Sequence, residues 1–162
     1  MRRVMVNSTP LIVLCSVGKL DLLRKLYKEI YIPQAVFDEV TEKPDSACQL
    51  LKESLDWIHV EKVHNDSDRK MYKAKLHDGE VEVMILAQEK KKADLVIIDD
   101  NAAKKTAKFL GLTVTGTIGV LLKAKREGYI TELAPIIENM QNNGFYISVQ
   151  LKKIVLEQAG EC

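Results

Sequence analysis

With 162 residues, 46% hydrophobic and 29% charged, the chain has the composition of one globular domain, able to bury about 70% of its unfolded surface without disulfide or metal support. A net charge of +1 excludes binding nucleic acid through a global field, so local patches would have to hold such a partner. No apolar run approaches the roughly 20 residues of a membrane-spanning helix, and no long apolar leader precedes Ser8-Thr9-Pro10. Cys15, Cys48 and Cys162 are odd in number and widely spaced, which fits neither a disulfide framework nor a zinc knuckle and sets the expectation of a reducing, cytoplasmic setting.

Arg3-Val4-Met5-Val6 predicts a short first strand, followed by Asn7-Ser8-Thr9-Pro10, capping residues and a proline suited to a first helical turn. The helix through Leu11, Ile12, Leu14 and Cys15 breaks at Gly18, and Leu20, Leu22, Leu23 and Leu26 mark a second helical stripe within Lys19 to Tyr27. Glu29 to Ile32 reads as a strand ended by Pro33, which opens a helix from Gln34 to about Thr41 with Val36, Phe37 and Val40 on its apolar side. Pro44-Asp45-Ser46 starts another helix, and Asp56 to Val60 predicts a short edge strand. His64 to Lys75 is polar and shows no periodicity.

Asp78-Gly79-Glu80 caps a helix whose body, Val81, Val83, Met84, Ile85, Leu86 and Ala87, is apolar nearly all round and is expected in the interior. Beyond Lys90-Lys91-Lys92, a solvated helix end, Leu95 to Ile98 predicts a strand, Asn101 to Leu110 a helix stopped by Gly111, and Leu112 to Val114 a further strand. Helices are expected at Thr117 to Glu127, Glu132 to Asn142 and Ser148 to Gln158. Strands alternating with helices at these spacings predict an α/β sandwich around a parallel sheet, with no repeat or linker dividing residues 1–162.

The run Leu95-Val96-Ile97-Ile98 is apolar without interruption, as a strand covered on both faces must be, and it ends in Asp99-Asp100. In an open parallel sheet the carboxyl ends of strands line the ligand crevice, where carboxylate oxygens suit a hard divalent cation. The alternative is that Asp99 or Asp100 caps the next helix, for which one Asp suffices. The first strand likewise ends in polar residues, Asn7-Ser8, and two helices carry acids near their starts, Glu39 and Glu80. If the two strands are neighbours these points converge, and such an oxygen-rich set without His or Cys selects Mg²⁺ or Mn²⁺ over zinc. In-line hydrolysis of a phosphodiester is the chemistry such a site serves best.

Each candidate also has a plainer role. Glu80 can complement the dipole of its helix, Glu39 can be a solvated face, and Ser8 can either orient a metal ligand or cap. Lys104 and Lys108 share a helix face with Lys105 beside them, so they can hold phosphates flanking a scissile bond or merely coat the surface. Lys123, Lys125 and Arg126 suit a helix C-terminus, and His59, His64 and His77 show no metal or dyad spacing.

Taken in order, Asn7 to Ile12, the Ile-Pro-x-x-Val-x-x-Glu of Ile32 to Glu39, Gly79 to Glu82, Asp99-Asp100, and Gly116 to Leu121 resemble the pattern of the PIN-domain nucleases. The resemblance runs almost end to end, through Lys123 to Gly128 and Gly144-Phe145. It implies a three-layer α/β/α sandwich with a central, mainly parallel sheet, and a metal-dependent ribonuclease using Mg²⁺ or Mn²⁺. Position by position it implies Glu39, Glu80 and Asp99 as catalytic acids, and Asn7, Glu39, Glu80, Asp99 and Asp100 as metal ligands. Asn7 stands where most active members carry Asp; an amide oxygen coordinates Mg²⁺ but brings no negative charge. As a partner the resemblance implies RNA, for which Ser8, Lys104, Lys105 and Lys108 are the candidate contacts by position, and it allows an antitoxin protein and a homodimer. Two further readings compete: a catalytically weakened module binding RNA or protein, and a phosphoacceptor receiver domain, which needs an acidic pair where Asn7-Ser8 stands.

Overall fold

A computed structural model of the chain describes residues 3–62, 78–88 and 93–161. The polar stretch His64 to Lys75, His77 and the run Lys90 to Lys92 lie outside the described residues. Five strands, β1 (Val4–Val6), β2 (Ile30–Pro33), β3 (Ile58–Glu61), β4 (Leu95–Ile97) and β5 (Val114–Thr115), form one sheet in the order β3-β2-β1-β4-β5. Every pairing is parallel. The helices are α1 (Ser8–Ser16), α2 (Asp21–Tyr27), α3 (Gln34–Thr41), α4 (Ser46–Glu53), α5 (Asp78–Gln88), α6 (Asn101–Phe109), α7 (Thr117–Arg126), α8 (Ala134–Asn142) and α9 (Val149–Gln158). They flank the sheet, giving the α/β sandwich that the alternation predicts. Among the described residues no helix is long and apolar enough to cross a membrane.

Composition explains the layering. Of the inner strands β2, β1 and β4, the last two are buried at every residue, as expected where helices cover both faces of a parallel sheet. Helix α5 packs on β1, β2 and α3, and Val81, Val83, Met84, Ile85, Leu86 and Ala87 are all buried, as its all-round apolar sequence predicts. The amphipathic α3 turns Val36 and Val40 inward.

Strand β3 is Ile58–Glu61 where Asp56 to Val60 is expected, several other bounds shift by a residue, and two differences arise because backbone groups have another use. Strand β5 begins at Val114, not at Leu112, since Gly111 takes φ +80 and the N–H groups of Gly111 and Leu112 return to Lys108 and Ala107 carbonyls, closing α6. Helix α8 begins at Ala134, not at Glu132, because the N–H groups of Leu133 and Ala134 donate to the carboxylate of Glu161, 2.7 and 3.0 Å away. A residue near the far end of the chain thus sets the start of that helix.

The order of strands decides where a ligand can enter. The connections leave β1 toward β2 and β3 on one side and reach β4 and β5 on the other, so the chain reverses direction across the sheet between β1 and β4. In open α/β sheets the crevice lies outside the carboxyl ends of the strands at that switch point. Val6 is in register with Ile97, and the Asn7 N–H donates to the Ile97 carbonyl at 2.9 Å. Asn7 and Asp99 therefore leave the same edge of the sheet from adjacent strands.

Candidate metal and nucleic-acid site

Asn7 occupies the N-cap position of α1, yet its side chain makes no capping hydrogen bond. Local sequence supplies a reason: Pro10, at the third helical position, has no N–H to offer an N-cap oxygen. The residue is only 3% exposed, and its Oδ1 is buried without a hydrogen-bond partner among the described residues. Such an atom is uncommon, because an unsatisfied buried acceptor costs about 1–3 kcal/mol.

A second side-chain oxygen borders the same position, that of Gly79. A Cβ built on Gly79 would stand 3.6 Å from Asn7 Oδ1, 3.6 Å from Glu39 Oε2 and 3.3 Å from Val36 Cγ2. The two oxygens, one from the N-cap of α1 and one from α3, thus border a position where α5 carries no side chain. Glu39 lies in the second half of α3, not near its start as expected, and it is exposed. Glu82 places it: Glu82 Oε1 accepts from the Ala35 N–H at 2.9 Å, tying the first turn of α3 to α5. Glu80, beside Gly79 in the first turn of α5, is 6% exposed.

The neighbouring strand end is built differently. Asp99 Oδ1 accepts from the Thr117 N–H at 2.8 Å and Oδ2 from the Thr117 hydroxyl at 2.6 Å. Gly116 admits this approach, since a Cβ there would lie 2.6 Å from Asp99 Oδ1 and 3.0 Å from Lys104 Nζ. The ammonium of Lys104 therefore shares the space beside the Asp99 carboxylate. Asp100 is exposed and caps α6, its Oδ2 accepting from the Ala103 N–H at 2.9 Å. Capping of the next helix is thus what Asp100 does, while Asp99 meets the start of α7 instead.

Of the lysines expected along this helix, Lys104 is half-buried beside Asp99, and Lys105 and Lys108 are exposed. Ser8 is buried at the first position of α1. Among the described residues no three His, Cys, Asp or Glu side chains gather as ligands of one ion. The structure therefore brings Asn7 to Glu39, and Asp99 to Thr117 and Lys104, but does not draw Glu39, Glu80 and Asp99 into a single coordination shell. Thr117 was absent from the sequence candidates; the signal for it is the Gly116-Thr117 pair at a strand-to-helix turn, which says nothing about which acid it meets.

The Asn7 and Glu39 corner fits a hard cation. Both donors are oxygens, one of them is an acceptor with nothing to accept among the described residues, and glycine leaves the volume they border free of its own side chain. Comparison with known families gives a match of residues 3–161 to the family DUF3368, described as PIN domain. No curated protein matches the chain.

Proposed function

The chain belongs to the PIN-domain family, and from that premise we propose that it is a Mg²⁺- or Mn²⁺-dependent ribonuclease hydrolysing RNA phosphodiester bonds. The observation that carries the proposal is the buried Asn7 Oδ1, without a partner among the described residues, bordering the same side-chain-free position as Glu39 Oε2, at the edge where a doubly wound sheet takes its ligand. When bound, the metal supplies an activated water and neutralises charge on the phosphate. Asn7 and Glu39 would hold it at their corner, and Glu80 and Asp99, which do not stand in one shell with Glu39 among the described residues, would complete its ligands on binding. Glu82 keeps α3, and with it Glu39, at the correct distance from α5.

Lys104 supplies positive charge beside Asp99, and Lys105 and Lys108 extend it along α6, so the phosphates on either side of the scissile bond meet cations. Ser8, at the start of α1, adds a hydroxyl at the same edge. The toxin half of a toxin and antitoxin pair is the setting to which we assign this activity.

The test is cleavage of mixed single-stranded RNA with Mg²⁺, with Mn²⁺ and with EDTA, beside Asp99→Asn. Asparagine can still accept from the Thr117 N–H and donate to its hydroxyl, so this variant removes charge and keeps the hydrogen bonds. Cleavage is expected with either metal and is lost with EDTA and in the variant. Cleavage that survives both would overturn the proposal. One observation favours a second reading: Asn7 brings no charge to the corner, which suits a module that binds RNA without cutting it. That reading predicts retained RNA and no products under any of the three conditions.

A further inference from the structure

Among the described residues five carboxylates meet helix N-termini, and they are not used alike: Glu82 takes one backbone N–H of α3, and Glu161 spends both oxygens on backbone N–H groups at the start of α8 and on Lys125. Asp45 caps α4 with one oxygen, Oδ1 accepting from the Cys48 N–H at 3.0 Å. Asp100 caps α6 with one oxygen, Oδ2 accepting from Ala103. Asp99 meets the first residue of α7 with both, Oδ1 on the Thr117 N–H and Oδ2 on its hydroxyl. Capping requires one acceptor on one backbone donor. The second contact is surplus to it, and it comes from a side chain 0% exposed, where a hydroxyl is retained only if it has a partner.

We infer that Thr117 is a positioning residue, its N–H and hydroxyl together fixing the rotation of the Asp99 carboxylate so that each oxygen keeps a lone pair for a cation. The inference rests on the reading of Asp99 as a cation ligand. A carboxylate oxygen accepts about two hydrogen bonds, so one donor per oxygen leaves capacity on both. Two donors from one rigid residue remove the torsional freedom that a surface aspartate has. Gly116 is part of the same device, because any side chain there would displace Oδ1. Partners of this kind around a ligand are worth about 10- to 100-fold in metal affinity.

The experiment is Mn²⁺ titration, followed by the rise in melting temperature on Mn²⁺ saturation, for wild type, Thr117→Ser, Thr117→Val, Thr117→Ala and Asp99→Asn. Serine keeps both donors and should bind within about 2-fold of wild type, while valine and alanine should each weaken Mn²⁺ by about 10-fold. Two hydroxyl-free variants guard against one failing to fold. A merely structural threonine would lower the melting temperature equally with and without Mn²⁺; a positioning one shrinks the Mn²⁺-induced rise. If valine and alanine bind Mn²⁺ as wild type does while Asp99→Asn binds weakly, the inference about Thr117 is overturned and the ligand role of Asp99 stands. If Asp99→Asn itself binds as tightly as wild type, the reading beneath the inference fails.

Discussion

Glu161 and Asn7 both hold side-chain oxygens away from solvent, with opposite provision for them. The Glu161 side chain is 11% exposed, and its carboxylate accepts from Lys125 Nζ at 2.7 Å and from the Leu133 and Ala134 N–H groups at 2.7 and 3.0 Å. Burial alone pushes the carboxyl up, but the Lys125 hydrogen bond and the two backbone donors outweigh it and bring it down to about 2. Asn7 Oδ1 accepts nothing among the described residues. A polar group that serves the fold is saturated by the fold; one kept for a ligand is left open at a cost in stability. Asp99 stands between the two, both oxygens bonded but by neutral donors only.

Substitutions should pull these regions apart. The largest effect is expected for Glu39→Gln, which should cut RNA cleavage by at least about 100-fold and weaken Mn²⁺, while melting in EDTA stays at the wild-type temperature, because Glu39 is exposed. A large fall in melting temperature instead would make Glu39 a structural acid. Gly79→Ala places a methyl 3.6 Å from each of the two oxygens and should weaken Mn²⁺ several-fold, with little change in metal-free stability because alanine suits a helix better than glycine. Unchanged Mn²⁺ affinity would mean the cation lies elsewhere.

Glu161→Gln should behave in the opposite way, lowering the melting temperature at pH 7 by roughly 5 °C through its lost charge-assisted hydrogen bonds, with Mn²⁺ affinity unchanged. Its pH dependence has a definite sign. The folded carboxyl is lowered from 4.5 to about 2, so the advantage of wild type over the variant is complete above the unfolded value and fades as the pH falls through that interval. Thermal melts of both proteins from pH 7 to pH 2 check it; an advantage that persists undiminished to pH 2 would contradict the assignment.

How much of this was legible depends on whether a signal is local. Helix α3 has its expected bounds, Gln34–Thr41, because Pro33 and the apolar spacing of Val36, Phe37 and Val40 act within one element. The start of α8 was not legible, because the donors at Leu133 and Ala134 are satisfied by Glu161, and no local pattern announces a partner so far along the chain. The site divides in the same way. Asn7 and Asp99 could be placed at one sheet edge from strand ends alone, whereas the duties of the two aspartates could not be divided: Asp100 takes the cap of α6, and Asp99 turns to Thr117. The bond of Glu82 to Ala35 was not legible either, because it depends on how α3 packs against α5.

The most direct test of the central claim, that the open oxygen of Asn7 belongs to a cation site, is a Mn²⁺ titration of wild type and Asn7→Asp in the same salt. A carboxylate at this position adds one charge beside the cation, worth about 1 kcal/mol at some 4 Å even in a water-like medium, so Asn7→Asp should bind Mn²⁺ at least about 5-fold more tightly. Equal affinities would contradict the account and leave Asn7 outside the metal shell.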